Sequence, residues 1–360
     1  MKIVVLGDIA FTGLLAYEPK KNPIRFLQIS PVLRDAGFVF ANLEVPIKVL
    51  EEKNEYKGFM HYSLPKSTKV LLQLLNISCV SLANNHIYDC KMSGLKATIN
   101  LLDELGIKHT GAGWKKEHVA PVIIETNKLR LGFLAYVDIK TNPQTENFPE
   151  LLINYFEIEN VTKEIQKLKK DVDKIIISIH WGADYSYYPT SKQIELAHQI
   201  IDAGADIIMG HHPHTMQPYE LYKGRCVFYS LGGLTFGDFI WDGKIGALKR
   251  KTKKAAFPVF DESLNLFEFI TTKELKGNYI TLTNWDYERW SKIQLNMANI
   301  MIKYDFVKTL VSFKEAVIDR LYEYFFGYYR NPFKQLFQIG ANFKKIRYLK
   351  RDFKKYSNVN

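Results

Sequence analysis

ADIIMGHHPH, residues 205–214, is a short apolar run that stops at a glycine and three histidines. A run of that length, too short for helical periodicity and bounded by glycine, reads as a buried strand. DKIIISIHWG at 173–182 repeats the form, with His180 directly after the apolar residues. Working outward, the same pattern recurs in KIVVLGD (2–8), AGFVFANLE (36–44), ISCVSLANN (77–85), APVIIE (120–125), LRLGFLAYV (129–137) and RCVFYSLGG (225–233). Between these runs lie helix-like spans at 24–35, 67–75, 92–105 and 190–203. The third carries Met92, Leu95, Ile99 and Leu102 at helical spacing, and the fourth Ile194, Ala197 and Ile201. Strands alternating with helices predict an α/β domain with a largely parallel sheet, in which ligands collect at the carboxyl ends of the strands.

Polar residues cluster at those ends. Asp8 follows the first strand, Asn42 and Glu44 the second, Asn84, Asn85, His86 and Asp89 the third, His180 a later one, and His211, His212 and His214 the run quoted first. Three hydrogen-bonding side chains leaving an apolar strand are costly to bury unless they bind something. His212 and His214, two apart in a segment read as extended, point to one face and can share a metal or serve two neighbouring ones. Carboxylates, imidazoles and amide oxygens together form the inventory of a site for two divalent cations, with Mn, Fe or Zn equally suited. Taken singly, each residue also has a bland account as a turn former, a cap or a hydrogen-bonded core group.

The 360 residues are 47% hydrophobic and 24% charged, a globular profile, and the three cysteines show no CxxC spacing, which fits a reducing compartment. No stretch is apolar enough to span a membrane, and the N-terminus reads as a strand rather than a signal peptide, so a cytoplasmic protein is expected. The net charge of +11 is concentrated at one end, since residues 301–360 hold 13 Lys plus Arg against 5 Asp plus Glu and close in FKKIRYLKRDFKKY (343–356). Basic residues interleaved with aromatics suit peripheral contact through 300–356 with an anionic membrane at its inner face, or a helix packing its aromatic stripe on the core. No nucleic-acid recognition motif accompanies the charge, so no specific nucleic acid is expected. The basic run KRKTKK (249–254) reads as a solvated loop, followed by strand-like LNLFEFIT and NYITLTNW. The expected organisation is a domain over 1–285 and a basic, aromatic-rich helical extension over 286–360.

The ordered set GDIAFTG (7–13), NLEVPI (42–47), LANNHIYD (82–89), GIKHTGAG (106–113), HWGADY (180–185), the segment 200–222 and FYSLGG (228–233) resembles the CapA-like family of bacterial capsule and poly-gamma-glutamate synthesis proteins. That family is similar in motif order to the calcineurin-like metallophosphoesterases. The resemblance covers residues 2–238 and implies a sandwich of two mixed sheets flanked by helices; a TIM barrel is the alternative that repeated βα units leave open. It implies Asp8 on a first metal, Glu44 bridging, Asn85 and His180 on a second, His212 and His214 completing the two sites, and His86, with Asp89, as the catalytic group. The sequence departs from the metallophosphoesterase pattern at Ala10, where a histidine is usual, and at Glu44, where an aspartate is; Asp184 and Gly233 depart from the CapA-like pattern. One or two metals are consistent with this. The expected activity is metal-dependent hydrolysis or transfer at a phosphoryl or acyl-phosphate centre, with an anionic polymer or a phosphorylated small molecule as substrate. The alternative is a non-catalytic accessory protein of anionic polymer assembly or export that binds carboxylate or phosphate groups.

Overall fold

Period-two alternation sorts the strand residues between three apolar clusters. The computed structural model describes residues 1–326 apart from 58–59, 142, 144, 146, 242–243, 248–249 and 304. In the first sheet, parallel strands β1 (Ile3–Ala10), β2 (Phe38–Leu43), β3 (Cys79–Ser81) and β4 (Lys108–Thr110) are continued on the other side of β1 by antiparallel β12 (Lys254–Phe260), β13 (Leu266–Leu275) and β14 (Tyr279–Thr283). In the second, β6 (Arg130–Val137), β7 (Lys174–His180), β8 (Ile207–His211) and β10 (Arg225–Phe228) are parallel. Its edges, β5 (Val122–Glu125) and β9 (Tyr219–Tyr222), are antiparallel. Strand β11 (Gly233–Phe236) crosses back to pair with the end of β1.

Ile3, Val5 and Phe40 of the first sheet meet Phe133, Ile176, Met209 and Phe228 of the second, forming the layer between the sheets. The alternate residues Val4, Leu6, Val39 and Val80 pack on helices α1 (Ile29–Arg34), α2 (Pro65–Leu74) and α3 (Lys91–Glu104). On the far side, Leu134, Ile175, Ile177 and Ile208 pack on α4 (Ile158–Leu168) and α5 (Ser191–Ala203). The fold is therefore the expected sandwich of two mixed sheets flanked by helices. Helix α5 starts with a reciprocal cap, the Gln193 N–H donating to Thr190 Oγ1 at 3.2 Å and the Thr190 N–H to Gln193 Oε1 at 3.0 Å. It stops at Gly204, whose φ of 123° few other residues adopt.

Two glycines bring the sheets' carboxyl ends together. A Cβ on Gly7 would lie 1.8 Å from the Gly232 carbonyl oxygen, and one on Gly210 would lie 1.9 Å from that of Tyr229. Only glycine lets β1 and β8 press so closely on the 229–233 segment.

The described part of the KRKTKK run, 250–254, is not a solvated loop. Lys254 opens β12, while Lys253 is 2% exposed and pairs with Glu274 Oε2 at 2.8 Å and Asp238 Oδ1 at 3.3 Å. Thr235 Oγ1 donates to Glu274 Oε1 at 2.9 Å and the Gly277 N–H to Asp238 Oδ2 at 3.2 Å, so this buried ionic group ties β11 to the β12–β13 hairpin. Beyond β14, helix α6 (Tyr287–Lys303) is docked on the second sheet's edge: Tyr287 Oη donates to the Gln217 carbonyl at 2.8 Å and the Tyr219 N–H to Ser291 Oγ at 2.7 Å. Helical turns continue to Phe326 with Leu310, Phe313 and Tyr322 exposed, and the basic sequence at 343–356 lies outside the described residues. No described helix is long and apolar enough to cross a membrane. The three cysteines are free and buried.

Replacing Lys253 by methionine removes the cation from two buried carboxylates. We expect a loss of about 3–5 kcal/mol in urea unfolding. A loss below about 0.5 kcal/mol, within the range of ordinary surface substitutions, would show that the group does not hold the hairpin in place.

Candidate metal centre

Five parallel strands, β1, β2 and β3 of the first sheet and β7 and β8 of the second, end at one place, and each end delivers a donor. Asp8 sits where the β1 ladders slip on both sides, between Val5 and Asp8 against β2 and between Asp8 and Ile9 against β11. Such irregularities re-aim a side chain. Glu44 follows β2, fixed by its N–H on the Ile9 carbonyl at 3.0 Å. Asn84 and Asn85 follow β3, His180 ends β7, and His211 ends β8. Asp8, Glu44, His180, His212 and His214 are all buried, and Asn85 nearly so.

The donor atoms form two groups that share Glu44. Glu44, His180 and His212 bring ligand atoms within 4.8 Å of one another, as do Asp8, Glu44 and His214. Glu44 Oε1 lies 3.6 Å from His180 Nε2 and 3.7 Å from His214 Nε2. His180 Nε2 is also 3.0 Å from Asn85 Oδ1 and 3.1 Å from His212 Nδ1. All six residues expected to hold metal are thus brought together. The His212–His214 segment is not extended, however: both residues are left-handed, with φ of 93° and 57°, so the two rings belong to different groups instead of projecting side by side. Backbone in that region costs on the order of 1–3 kcal/mol per residue and persists only where its surroundings enforce it.

Glu44 decides whether a cation suits the place. Both its oxygens are buried without a hydrogen-bond donor. Burial, then the adjacent Asp8 charge, pushes its carboxyl well above the usual range. Burial also raises Asp8, but His211 and His214, with Nδ1 atoms 3.1 and 3.2 Å from its oxygens, outweigh that and hold it well below the ordinary value. Burial keeps His180 well below the imidazole range and His212 at about 4. Two imidazoles held neutral, His180 and His212, beside a carboxylate that lacks donors, Glu44, suit a divalent cation. The residues fit such a group.

Several residues outside the expected ligand set complete the centre. Asn42 Nδ2 donates to Asp8 Oδ1 at 2.9 Å and lies 3.3 Å from His180 Nδ1, while Asn84 Nδ2 donates to Asn42 Oδ1 at 3.2 Å and to the Leu43 carbonyl at 2.9 Å. The sequence signal for both was their place in the same strand-end motifs as Glu44 and Asn85. Asp184, 3.7 Å from His212 Nε2, is more than half exposed at the rim, and the Tyr185 N–H donates to the Pro213 carbonyl at 2.8 Å. Ala10 lies in the helix-side apolar cluster and pairs with Phe236.

His86 and Asp89 face each other, Nδ1 to Oδ2, at 2.8 Å. Burial lifts Asp89 to about 7 and keeps His86 well below its ordinary value. Asp89 Oδ2 also accepts the His61 N–H at 2.8 Å, and the His61 ring stands edge-on to His86, with centroids 4.4 Å apart. His61, in the loop between β2 and α2, therefore belongs to this group. The charge of Lys57, on the same loop, acts on Glu44, His86 and Asp89.

A family described as bacterial capsule synthesis protein PGA_cap matches residues 2–238. The capsule biosynthesis protein CapA of Bacillus anthracis is 31% identical over 223 residues, covering 59% of this chain and 53% of that protein. The PGA biosynthesis protein CapA of Bacillus subtilis is 31% identical over 223 residues, covering 61% of this chain and 58% of that protein. The chain thus spans somewhat more than half the length of these curated relatives. Among solved structures, a novel phosphatase from Mycoplasma pneumoniae is similar at a TM-score of 0.49 and 13% identity, covering 81% of this chain and 96% of that one.

Glu44→Gln replaces a buried charge that lacks donors by a neutral amide. Metal-stripped protein carrying it is expected to unfold later than stripped wild type, by on the order of 1–3 kcal/mol, while binding of added Mn or Zn weakens. Equal or earlier unfolding of the stripped variant would mean that the protein already satisfies the Glu44 charge without a cation.

Proposed function

The chain belongs to the PGA_cap family of bacterial capsule synthesis proteins, and from that premise we propose that it is a metal-dependent, phosphoesterase-like hydrolase or transferase in anionic polymer synthesis. The observation that carries this reading is the shared, donor-less Glu44 between two groups of buried ligands. Asp8, Glu44 and His214 would hold one divalent cation, and Glu44, Asn85, His180 and His212 a second, with Mn, Fe or Zn suited to the mixed donors. Such cations supply Lewis acidity and a hydroxide nucleophile at neutral pH.

The chain's own residues have separate tasks. Asn42 orients Asp8, and Asn84 orients Asn42. Asp89 fixes the His86 ring through Nδ1, which leaves Nε2 to exchange a proton with a leaving oxygen. An ionised Asp89 also steadies the ring when it carries the extra proton, the role of a carboxylate behind a catalytic histidine. Lys57 adds positive charge on the side from which an anionic group approaches. Ala10, which offers no ligand, favours a second reading, an accessory protein that binds carboxylates or phosphates without cleaving them. In either case we place the protein on the cytoplasmic side, with 300–356 against an anionic surface, on the strength of the charge in that segment.

Elemental analysis of purified protein is expected to find about two transition-metal ions per chain, and fewer in Glu44→Ala and His212→Ala. With acetyl phosphate and p-nitrophenyl phosphate as probes, His86→Ala should lower kcat by roughly 10²–10⁴ at unchanged metal content. Metal-loaded wild type that turns over neither probe would favour the accessory reading. Protein that binds no metal after reconstitution with Mn or Zn would overturn both assignments of the centre.

A further inference from the structure

The loop after β7, residues 183–190, supplies no ligand, yet the segment beyond β8 is built to hold it. Gln217 Nε2 donates to the carbonyls of Ser186 and Tyr188, both at 3.1 Å, and Thr215 Oγ1 donates to that of Ser186. Thr215 and Gln217 are themselves buried. The Tyr185 N–H reaches the carbonyl of Pro213, the residue between His212 and His214, at 2.8 Å. It does so from left-handed backbone, with φ of 64° at Tyr185, and Gly182, where the chain leaves β7, is left-handed too at 89°. Two buried polar side chains and a strained residue are thus spent on fixing one loop against the ligand segment.

The side chain delivered by this placement is Asp184. Its Oδ1 stands 3.7 Å from His212 Nε2, and the side chain is more than half exposed. The other nitrogen of that ring, Nδ1, lies on the inner side, 3.1 Å from His180 Nε2, in the group that shares Glu44.

A neutral imidazole carries one ring proton, and at His212 its position decides what the group can hold. On Nδ1 the hydrogen lies between His212 and His180 and occupies both nitrogens. On Nε2 it leaves Nδ1 and His180 Nε2 as two lone pairs beside Glu44. The exchange keeps the ring neutral, since one proton leaves Nδ1 for water and one arrives at Nε2 from water. The Nε2–H then needs an acceptor, and Asp184 is the carboxylate that faces it. At 3.7 Å the pair is too long for a direct hydrogen bond, and rotation of an exposed side chain on a fixed backbone covers the difference. A carboxylate behind a ligating imidazole fixes both its tautomer and its ring plane.

We propose that Asp184 is a positioning residue for the second ligand group: it accepts the His212 Nε2–H, holds the ring in the tautomer that turns Nδ1 to the cation, and thereby sets the affinity of that group. This rests on the metal centre of the proposed function. The effect belongs to one group, because the nitrogens of His214 face Asp8 at 3.2 Å and Glu44 at 3.7 Å instead.

The test is calorimetric titration of the metal-stripped full chain with zinc, together with histidine-ring nitrogen NMR of the loaded protein. Asp184→Ala is expected to weaken one of two zinc sites by about 10–100-fold and to leave the other nearly unchanged, while Asp184→Glu keeps both. Zinc-loaded wild type should show the His212 Nε2–H as a slowly exchanging proton, and Asp184→Ala should lose it to exchange with water. Stripped Asp184→Ala should unfold at no lower urea concentration than stripped wild type, because the side chain is largely exposed. Equal weakening of both sites, as loss of a negative charge alone would produce, would overturn the proposal. So would unchanged affinity, an Nε2–H that exchanges at the same rate in the variant, or earlier unfolding of the stripped variant. Acetyl phosphate and p-nitrophenyl phosphate separate the two readings. Wild type that shows the Asp184 effects on zinc but turns over neither probe leaves this inference standing while the proposed chemistry fails, and turnover by wild type with no Asp184 effect on zinc defeats the inference alone.

Discussion

A buried carboxylate with no donor is the constraint around which this molecule is arranged. Glu44 lies beside a second carboxylate, Asp8, at a depth where neither reaches water. An ionised pair so placed is costly unless positive charge stands beside it, and here His180 and His212 are held neutral by the same burial. The arrangement is therefore one that folding alone would not favour. The left-handed backbone at His212 and His214 adds strain at the same point. Cost concentrated on ligating side chains, with satisfied packing everywhere around them, is what a binding centre requires of its scaffold.

The scaffold supplies that support from both sheets. Gly7 and Gly210 let two strand ends approach the 229–233 segment at distances a methyl group would forbid, so Asp8 and the histidines after β8 face one another across the gap between sheets. The Lys253 group then ties β11, which pairs with the Asp8 end of β1, to the β12–β13 hairpin. Displacing any of these would move a donor by more than the tolerance of a coordination site.

Strand positions were legible because apolar runs such as KIIISI and ADIIM have few alternatives, and the polar residues at their ends marked the rim without needing any tertiary information. What was not legible depends on how distant segments meet. Helix α4 carries Val161, Ile165 and Leu168 at helical spacing, yet its surrounding lysines and glutamates hide that stripe until the second sheet's outer face is there to receive it. KRKTKK looked solvated because nothing in the run itself shows that Glu274 and Asp238 would bury one of its lysines. His61 lies in a loop without periodicity, and only its N–H on Asp89 and its ring against His86 bring it to the centre. The extended reading of HHPH failed for a backbone reason: the chain must turn sharply to present His212 to His180 and His214 to Asp8, and alternation cannot describe a turn.

The same geometry accounts for the departure at Ala10. Ala10 is buried among apolar side chains and paired with Phe236, whose ring packs at 4.9 Å on His61 and 4.7 Å on His214. An imidazole there would have to displace that packing to reach the centre. The Asp8 side instead gains a second imidazole from another strand, because His211 ends β8 with Nδ1 3.1 Å from Asp8 Oδ1. Phe236 fixes the ring planes of His61 and His214 from the apolar side, and His211 balances the Asp8 charge from the polar side. With no imidazole at position 10, these two contacts hold the remaining donors where they are.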